Sequence, residues 1–366
     1  KTAYEIRPRD WSSDVCSSDL NEGIRCAYHG WMIDHGGHCI DQPFEGERHA
    51  LRGKKATPAY PVKELGGMLF AYLGPAPAPE LPEYDPFTMK GAIRAIGKTI
   101  IPCNWLQCME NSMDTIHTEY LHGQFWEYIL ERRNVTDPIK VNEVRRFVRH
   151  HTDFRFERFD HGFRKWRLVD GEDPETSPGW ITGNPLVFPS FVLIGSPGRY
   201  EMQIRVPIDD ENTWHLSYQV FMPGQWNPQP PQESVPIFDV PIEDLPDYVL
   251  GQDMVAWPLQ GAIMDRSEEM LGESDRGLVM LRRMCMEQID VVQAGGDPIN
   301  TFRDPATNQR IDLPIPDYRN PRNYKKGMLV AVTTGTHCPW LEELDEMMDQ
   351  AGQAAREADK ETVGAR

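Results

Sequence analysis

Two histidines five residues apart, His117 and His122, stand in the run from Asn104 through Glu110-Asn111-Ser112-Met113-Asp114 to His122. Imidazole is a common metal ligand, and two of them with a carboxylate on one face of an ion leave other positions open for O2. On a regular helix five residues turn through about 140°, so both rings reach one ion only where the helix ends or bulges, near Tyr120. Glu110, Asp114, His117 and Leu121 recur at helical spacing. That turns acid and imidazole inward together, which is unfavourable unless the stripe binds something. A second pair lies upstream, in Cys26-Ala27-Tyr28-His29-Gly30-Trp31. A thiolate and an imidazole at this spacing can turn back onto one metal centre, and Gly30 lets the backbone come close to it. A [2Fe–2S] centre of mixed ligation needs two such pairs, the cysteines on one iron and the histidines on the other. Without those partners, the same residues read as a zinc knuckle and as polar groups on a half-buried helix.

The elements that must carry these residues change character along the chain. Residues 23 to 74 are short strands and turns: 23–26 and 31–33 flank a tight turn, 34–37 (Asp-His-Gly-Gly) form a hairpin turn holding His35, and 60–62 and 68–72 are two more strands. Pro75, Pro77, Pro79 and Pro82 then make a stiff connector, the clearest domain boundary. Beyond it, 104–121 reads as a helix. Strands are expected over 147–156, 163–169, 186–194, 200–206 and 213–221, in one antiparallel sheet because the connections are too short for helical crossovers. Helical patterns return over 245–257 and 274–292, where Ser274 or Asp275 can cap. The last 20 residues read as a polar, charged helix or a frayed tail.

With 366 residues, 40% of them apolar, and ten tryptophans, the chain can build two cored domains. A formal charge of −18 argues against a nucleic-acid partner, which would need a basic face. No apolar run approaches the roughly 20 residues of a bilayer span. The first ten residues are polar and charged, unlike a signal peptide. Seven scattered cysteines do not suggest a secreted disulfide framework, so free thiols and a cytoplasmic location are expected. Residues 9–20, RDWSSDVCSSDL, hold four serines and three aspartates and match nothing around them. They read as translated adapter sequence in place of native protein, and the start at Lys1 reads as an incomplete N-terminus.

Cys-x-Tyr-His-Gly-Trp, followed by Asp34, Gly37, Cys39 and Pro43, resembles the second half of the Rieske domain in ring-hydroxylating oxygenases of the phthalate dioxygenase type. The run from Asn104 to His122 resembles the same family's Asn-Trp-x4-Glu-Asn-x2-Asp-x2-His-x4-His segment. Gln252-Asp253-Met254-Val255, with Gln260-Gly261 and the stretch from Asp265 to Asp275, resembles its C-terminal block. The resemblance covers most of residues 21 to 290.

It implies an α+β chain: an N-terminal all-β Rieske domain, incomplete here, over 1–80, a helix-grip catalytic domain with an antiparallel sheet around a C-terminal helix over 81–330, and a polar tail over 331–366. By the same resemblance Cys26 and His29 hold a [2Fe–2S] cluster, and His117, His122 and Asp253 hold a mononuclear Fe(II). Asp114 links His117 to a cluster histidine of the neighbouring copy, in a homotrimer. Asp265 and Asp275 are structural. The family's first Cys-x-His pair would fall near positions 6–11, where the chain has Ile-Arg-Pro-Arg-Asp-Trp.

No Gly-x-Gly-x-x-Gly segment or P-loop is visible, so electrons come from a separate NAD(P)H-dependent reductase. The expected reaction is ring hydroxylation or O-demethylation of an aromatic, carboxylated small molecule. Phe188, Phe191 and Trp214 are candidates for the pocket wall and His215 for a substrate contact. The competing readings are an electron-transfer Rieske protein and a zinc-binding structural protein.

Overall fold

Short strands around glycine turns build the first part of the chain. The computed structural model describes residues 23–48, 50–242, 248–329 and 337–364. The readings made for residues 9–20 and for positions 6–11 lie outside the described residues. The chain divides into two compact units, one running up to Glu64 and taking in Leu69–Ala78, the other comprising Leu65–Met68 and everything from Pro79 onward.

In the first unit β1 (Ile24–Arg25), β2 (Met32–Ile33) and β3 (Cys39–Asp41) form a three-stranded antiparallel sheet. The expected turn after β2 is closed by Asp34, whose Oδ1 accepts from the N–H groups of Gly36 (2.9 Å) and His38 (2.7 Å). The strands β4 (Val62–Leu65) and β5 (Met68–Ala71) pair across Gly66-Gly67, both at positive φ, as a two-residue hairpin turn of this hand requires.

The second unit is built on an eight-stranded sheet. Its strands are β6 (Ile93–Ile101), β7 (His151–Phe159), β8 (Gly162–Val169), β9 (Asn184–Val187), β10 (Phe191–Ser196), β11 (Arg199–Pro207), β12 (Thr213–Phe221) and β13 (Ile237–Asp239). Their order is β13-β6-β12-β11-β10-β9-β8-β7, antiparallel except for the β13-β6 edge pair. The strand expected over 186–194 is two strands, parted at Pro189, which has no N–H to give a ladder. Residue 147 is not strand. It ends a helix over Pro138–Phe147, started by Asp137, whose side chain accepts from the Ile139 N–H at 2.9 Å, with proline at the first helical position.

Among the helices of this unit are α1 (Trp105–Met113), α2 (Trp126–Arg132), α3 (Pro138–Phe147), α4 (Val249–Ala256), α5 (Arg276–Gln293) and α6 (Leu341–Gly364). α1 lies against β11 and α5, burying Met109 and Met113 with Phe163, Leu186 and Leu281. The C-terminal stretch is no frayed tail. Leu344, Met348, Ala351 and Ala355, at helical spacing, are buried, and Leu344 and Met348 join Ile101, Phe221 and Trp257 in one core cluster. A helix of such polar composition would be marginal alone, and this apolar stripe is what docks it. Among the described residues no helix is long and apolar enough to cross a membrane.

Candidate metal centre

The segment carrying both histidines is a helix interrupted twice. Asn104 caps α1, accepting from the Leu106 N–H at 3.0 Å. The helix stops at Asp114, which takes up extended backbone. Asp114 Oδ1 accepts from the Ile116 N–H at 2.7 Å, a local turn that competes with the helix for the backbone. Helical geometry resumes at His117–Glu119 and passes into a π-helix over Tyr120–Phe125. A π-helix bonds residues five apart, so residues at that spacing stack on one face. The bulge anticipated near Tyr120 is there, and it brings the His117 and His122 rings to 5.0 Å between centroids. Gly123 makes the turn packable, since a Cβ there would stand 2.8 Å from the backbone of Phe147 and Val148.

α4 delivers the acid. Asp253 Oδ1 lies 3.3 Å from His122 Nε2 and 3.7 Å from His117 Nε2. One donor atom from each of the three lies within 4.8 Å of the others, and among the described residues this is the group of metal-ligating side chains that converges so. Donors about 2.1 Å from a shared ion and about 90° apart would stand about 3 Å from one another. The set therefore fits one ion with small side-chain shifts. Burial pulls His117 below its usual pKa, leaving the ring neutral at pH 7, the form that binds metal. Burial opposes ionisation of Asp253, but His122 and His117 outweigh it and hold the carboxyl below its ordinary range.

Neighbours aim these donors. His122 Nδ1 is 2.8 Å from Gln252 Oε1. An amide oxygen only accepts, so Nδ1 carries the proton and Nε2 keeps its lone pair toward Asp253. Asn111 Nδ2 donates to Asp253 Oδ1 at 3.4 Å. Asp114 Oδ2 stands 3.3 Å from His117 Nδ1, an attractive distance that is off hydrogen-bond geometry and leaves that nitrogen without a hydrogen bond. Spacing along the chain assigns no role to Gln252 or Asn111. Their signal in the sequence is that each stands beside an acid within a stretch that carries the family resemblance.

Glu110 is buried, as the inward stripe expects, but it meets two arginines there and not the triad. It accepts from Arg266 Nε (3.0 Å) and Nη2 (2.9 Å) and from Arg282 Nε (2.7 Å), a knot that fastens α1 to α5. Asp265 caps the turn at Ser267, accepting from its N–H at 2.9 Å. Asp275 accepts from the Gly272 N–H at 2.7 Å.

The triad opens on a cavity of about 490 Å³. None of Phe188, Phe191, Trp214 and His215 lines it. Phe188 packs with Met109 and Leu281, Phe191 with Tyr84 and Phe87, Trp214 is partly exposed, and His215 is fully buried against Trp257. Two cations of β8 do line it, Lys165 and Arg167. Burial draws Lys165 down to about 8 and Arg167 below its usual value, so both stay protonated at neutral pH.

Cys26 and His29 are exposed on the loop between β1 and β2. The loop is closed by backbone bonds, Cys26 N–H to Trp31 O (2.7 Å) and Gly30 N–H to Cys26 O (2.9 Å). The backbone N–H groups of Tyr28 and His29 hold the Cys26 thiol below its usual pKa, favouring the thiolate, the form in which a cysteine binds metal. Each of the six cysteines among the described residues is a free thiol.

Two imidazoles and one carboxylate beside a cavity form the donor set that defines the non-haem iron oxygenase class. The chain belongs to the Rieske-type aromatic oxygenases, as an oxygenase subunit, and is an oxidoreductase. It is 40% identical over 309 residues to the oxygenase subunit of 5,5'-dehydrodivanillate O-demethylase from Sphingobium sp., covering 82% of this chain and 69% of that one. To the oxygenase subunit of phthalate 4,5-dioxygenase from Pseudomonas putida it is 28% identical, with 81% and 74% covered. To the phenoxybenzoate dioxygenase subunit alpha from Ectopseudomonas oleovorans it is 30% identical, with 75% and 68% covered. No protein-family model matches the chain. The relatives give no support to the electron-transfer or structural-zinc readings.

Proposed function

We propose that His117, His122 and Asp253 hold one ferrous ion at which the chain oxidises a carboxylated aromatic molecule with O2, by ring hydroxylation or O-demethylation. The observation that carries this reading is the convergence of three donors, His122 and Asp253 buried and His117 half-buried, from two distant segments onto one point beside a cavity. When bound, the ion supplies open positions for O2 and its activation. The chain's own residues do the rest. Gln252 fixes the His122 tautomer, Asn111 steadies Asp253, and the cavity walls hold the substrate near the triad and limit water.

Cys26 and His29 are read as one half of the ligand set of a [2Fe–2S] centre, fed by a separate NAD(P)H-dependent reductase. Asp114, beside His117, is read as the link toward His29 of a neighbouring copy, which makes a homotrimer the working unit, in the cytoplasm. The relatives' names supply the substrate class, since dehydrodivanillate, phthalate and phenoxybenzoate are all aromatic carboxylates. Cleaving a methyl aryl ether consumes one O2, two electrons and two protons and yields the phenol, formaldehyde and water.

The test is to purify the chain anaerobically with Fe(II), count iron and acid-labile sulfide per chain, and then add O2, ascorbate and dehydrodivanillate, phthalate or phenoxybenzoate. We expect one iron at the triad, with formaldehyde or a hydroxylated product that depends on it. Zinc in place of iron, with no iron-dependent product from any of the three, would overturn the reading.

A further inference from the structure

Five cations line the cavity beside the triad: Arg146, Arg149, Lys165, Arg167 and Arg199. Three of them are matched. Arg146 pairs with Glu143 at 2.8 Å, Arg149 with Glu172 at 3.3 Å and Arg199 with Glu201 at 2.9 Å. Lys165 and Arg167 are not. Among the described residues, no carboxylate stands within ion-pair distance of either; Lys165 Nζ donates to the Asp114 backbone carbonyl at 3.2 Å, and Arg167 Nη1 to Thr118 Oγ1. The nearby acids are engaged elsewhere, Asp114 with His117 and the Ile116 N–H, Asp253 with the two histidines, and Glu172 with Arg149.

Two half-buried cations without counter-ions are unfavourable in a ligand-free protein, because their desolvation is offset only by one neutral acceptor each. Their placement explains why they are tolerated. Residues two apart on a strand point to the same side, so β8 presents both to the cavity, about 7 Å apart along the strand. Their present acceptors, at residues 114 and 118, bracket His117. An anion received there would lie beside the segment that supplies one of the triad's histidines.

We propose that Lys165 and Arg167 form an anion subsite that receives a carboxylate of the aromatic substrate and so fixes which part of the ring system faces the triad. The inference deepens the function proposed above and rests on it. Arg167 offers a planar fork of donors matched to a carboxylate, while Lys165 adds a point charge on the same side. The Phe147 ring, 5.9 Å from the Arg167 guanidinium, also lines the cavity and gives the adjoining aromatic ring an apolar wall.

The test is calorimetric titration of the full chain with dehydrodivanillate and phthalate, and with the dimethyl ester of each, against the parent and the variants Lys165→Met, Arg167→Met and Arg167→Lys. We expect the parent to prefer an acid over its ester by about thirtyfold or more. Either methionine variant should lose about tenfold or more of the acid affinity and change ester affinity by less than about twofold. Arg167→Lys should recover part of the loss. The thermal midpoint of ligand-free Lys165→Met should equal or exceed that of the parent, since an unmatched half-buried charge is removed. A structural lysine would lower it. Equal binding of acid and ester by the parent, or an acid-to-ester ratio untouched by all three substitutions, would overturn the subsite while leaving the aromatic reading standing. If neither acid nor ester binds the parent at all, the aromatic reading falls and the subsite with it.

Discussion

The loop holding Cys26 and His29 and the pocket holding His117, His122 and Asp253 place potential ligands in opposite ways. The first sits between two-residue strands, exposed, and its backbone hydrogen bonds close without any metal. The second is carried by helices on a packed sheet, with His122 2% and Asp253 7% exposed. Its donors are held by further side chains, Gln252 and Asn111. Desolvated donors crowded together are unfavourable when empty, whereas an exposed thiol and imidazole are solvated and cost little. The second set thus stands to gain from a shared ion in a way that the exposed loop does not.

The comparison can be broken most directly at the triad. Asp253→Ala or His122→Ala should take the triad's iron from about one per chain to near zero and lower substrate oxidation by more than about a hundredfold. Cys26→Ser should leave the triad's iron in place. Metal analysis of the three proteins side by side decides it, and loss of triad iron in Cys26→Ser would mean the two regions are not independent. A smaller effect is expected of Gln252→Leu, which frees the His122 ring. Iron affinity, read by competition with a chelator, should fall about 10- to 100-fold. Gly123→Ala should destabilise by about 1–3 kcal/mol in urea unfolding, because the added methyl meets the backbone of Phe147 and Val148.

Burial also predicts a pH signature for the second unit. Asp85, buried where its Oδ1 accepts from the Leu313 N–H at 3.1 Å, has its pKa raised from 3.8 to about 6, chiefly by desolvation. Between about pH 4 and pH 6 the unfolded chain has released this proton and the folded chain retains it. Stability should therefore fall as pH rises through that window, by on the order of 2–3 kcal/mol from this group. Asp85→Asn should flatten that slope in melts recorded across the window, and an unchanged slope would remove Asp85 as its source. The mildest probe is thiol alkylation of the folded chain, where Cys26 should react well before the buried Cys39, Cys103 and Cys108.

Much of the site was legible because its residues cluster in sequence. The run from Asn104 to His122 carries two donors and Asp114, and the five-residue spacing of the histidines itself demanded the break that Tyr120–Phe125 supplies. The strand Thr213–Phe221 was legible residue for residue, since alternation fixes which side chains share a face. Alternation does not say which face meets water. On β11 the polar set Arg199, Glu201, Gln203 and Arg205 is buried, as are Tyr200, Met202 and Ile204 on the other face.

The amino-acid sequence by itself determined the candidate ligand types, the strand periodicity of the second unit and the need for a bulge if the two histidines are to share an ion. Tertiary structure decided which charges find partners: Glu110 closes on Arg266 and Arg282, while Lys165 and Arg167 are left facing the cavity. Local spacing constrains only neighbours along the chain. Charge pairing and desolvation depend on groups far away in sequence, which folding alone brings within reach.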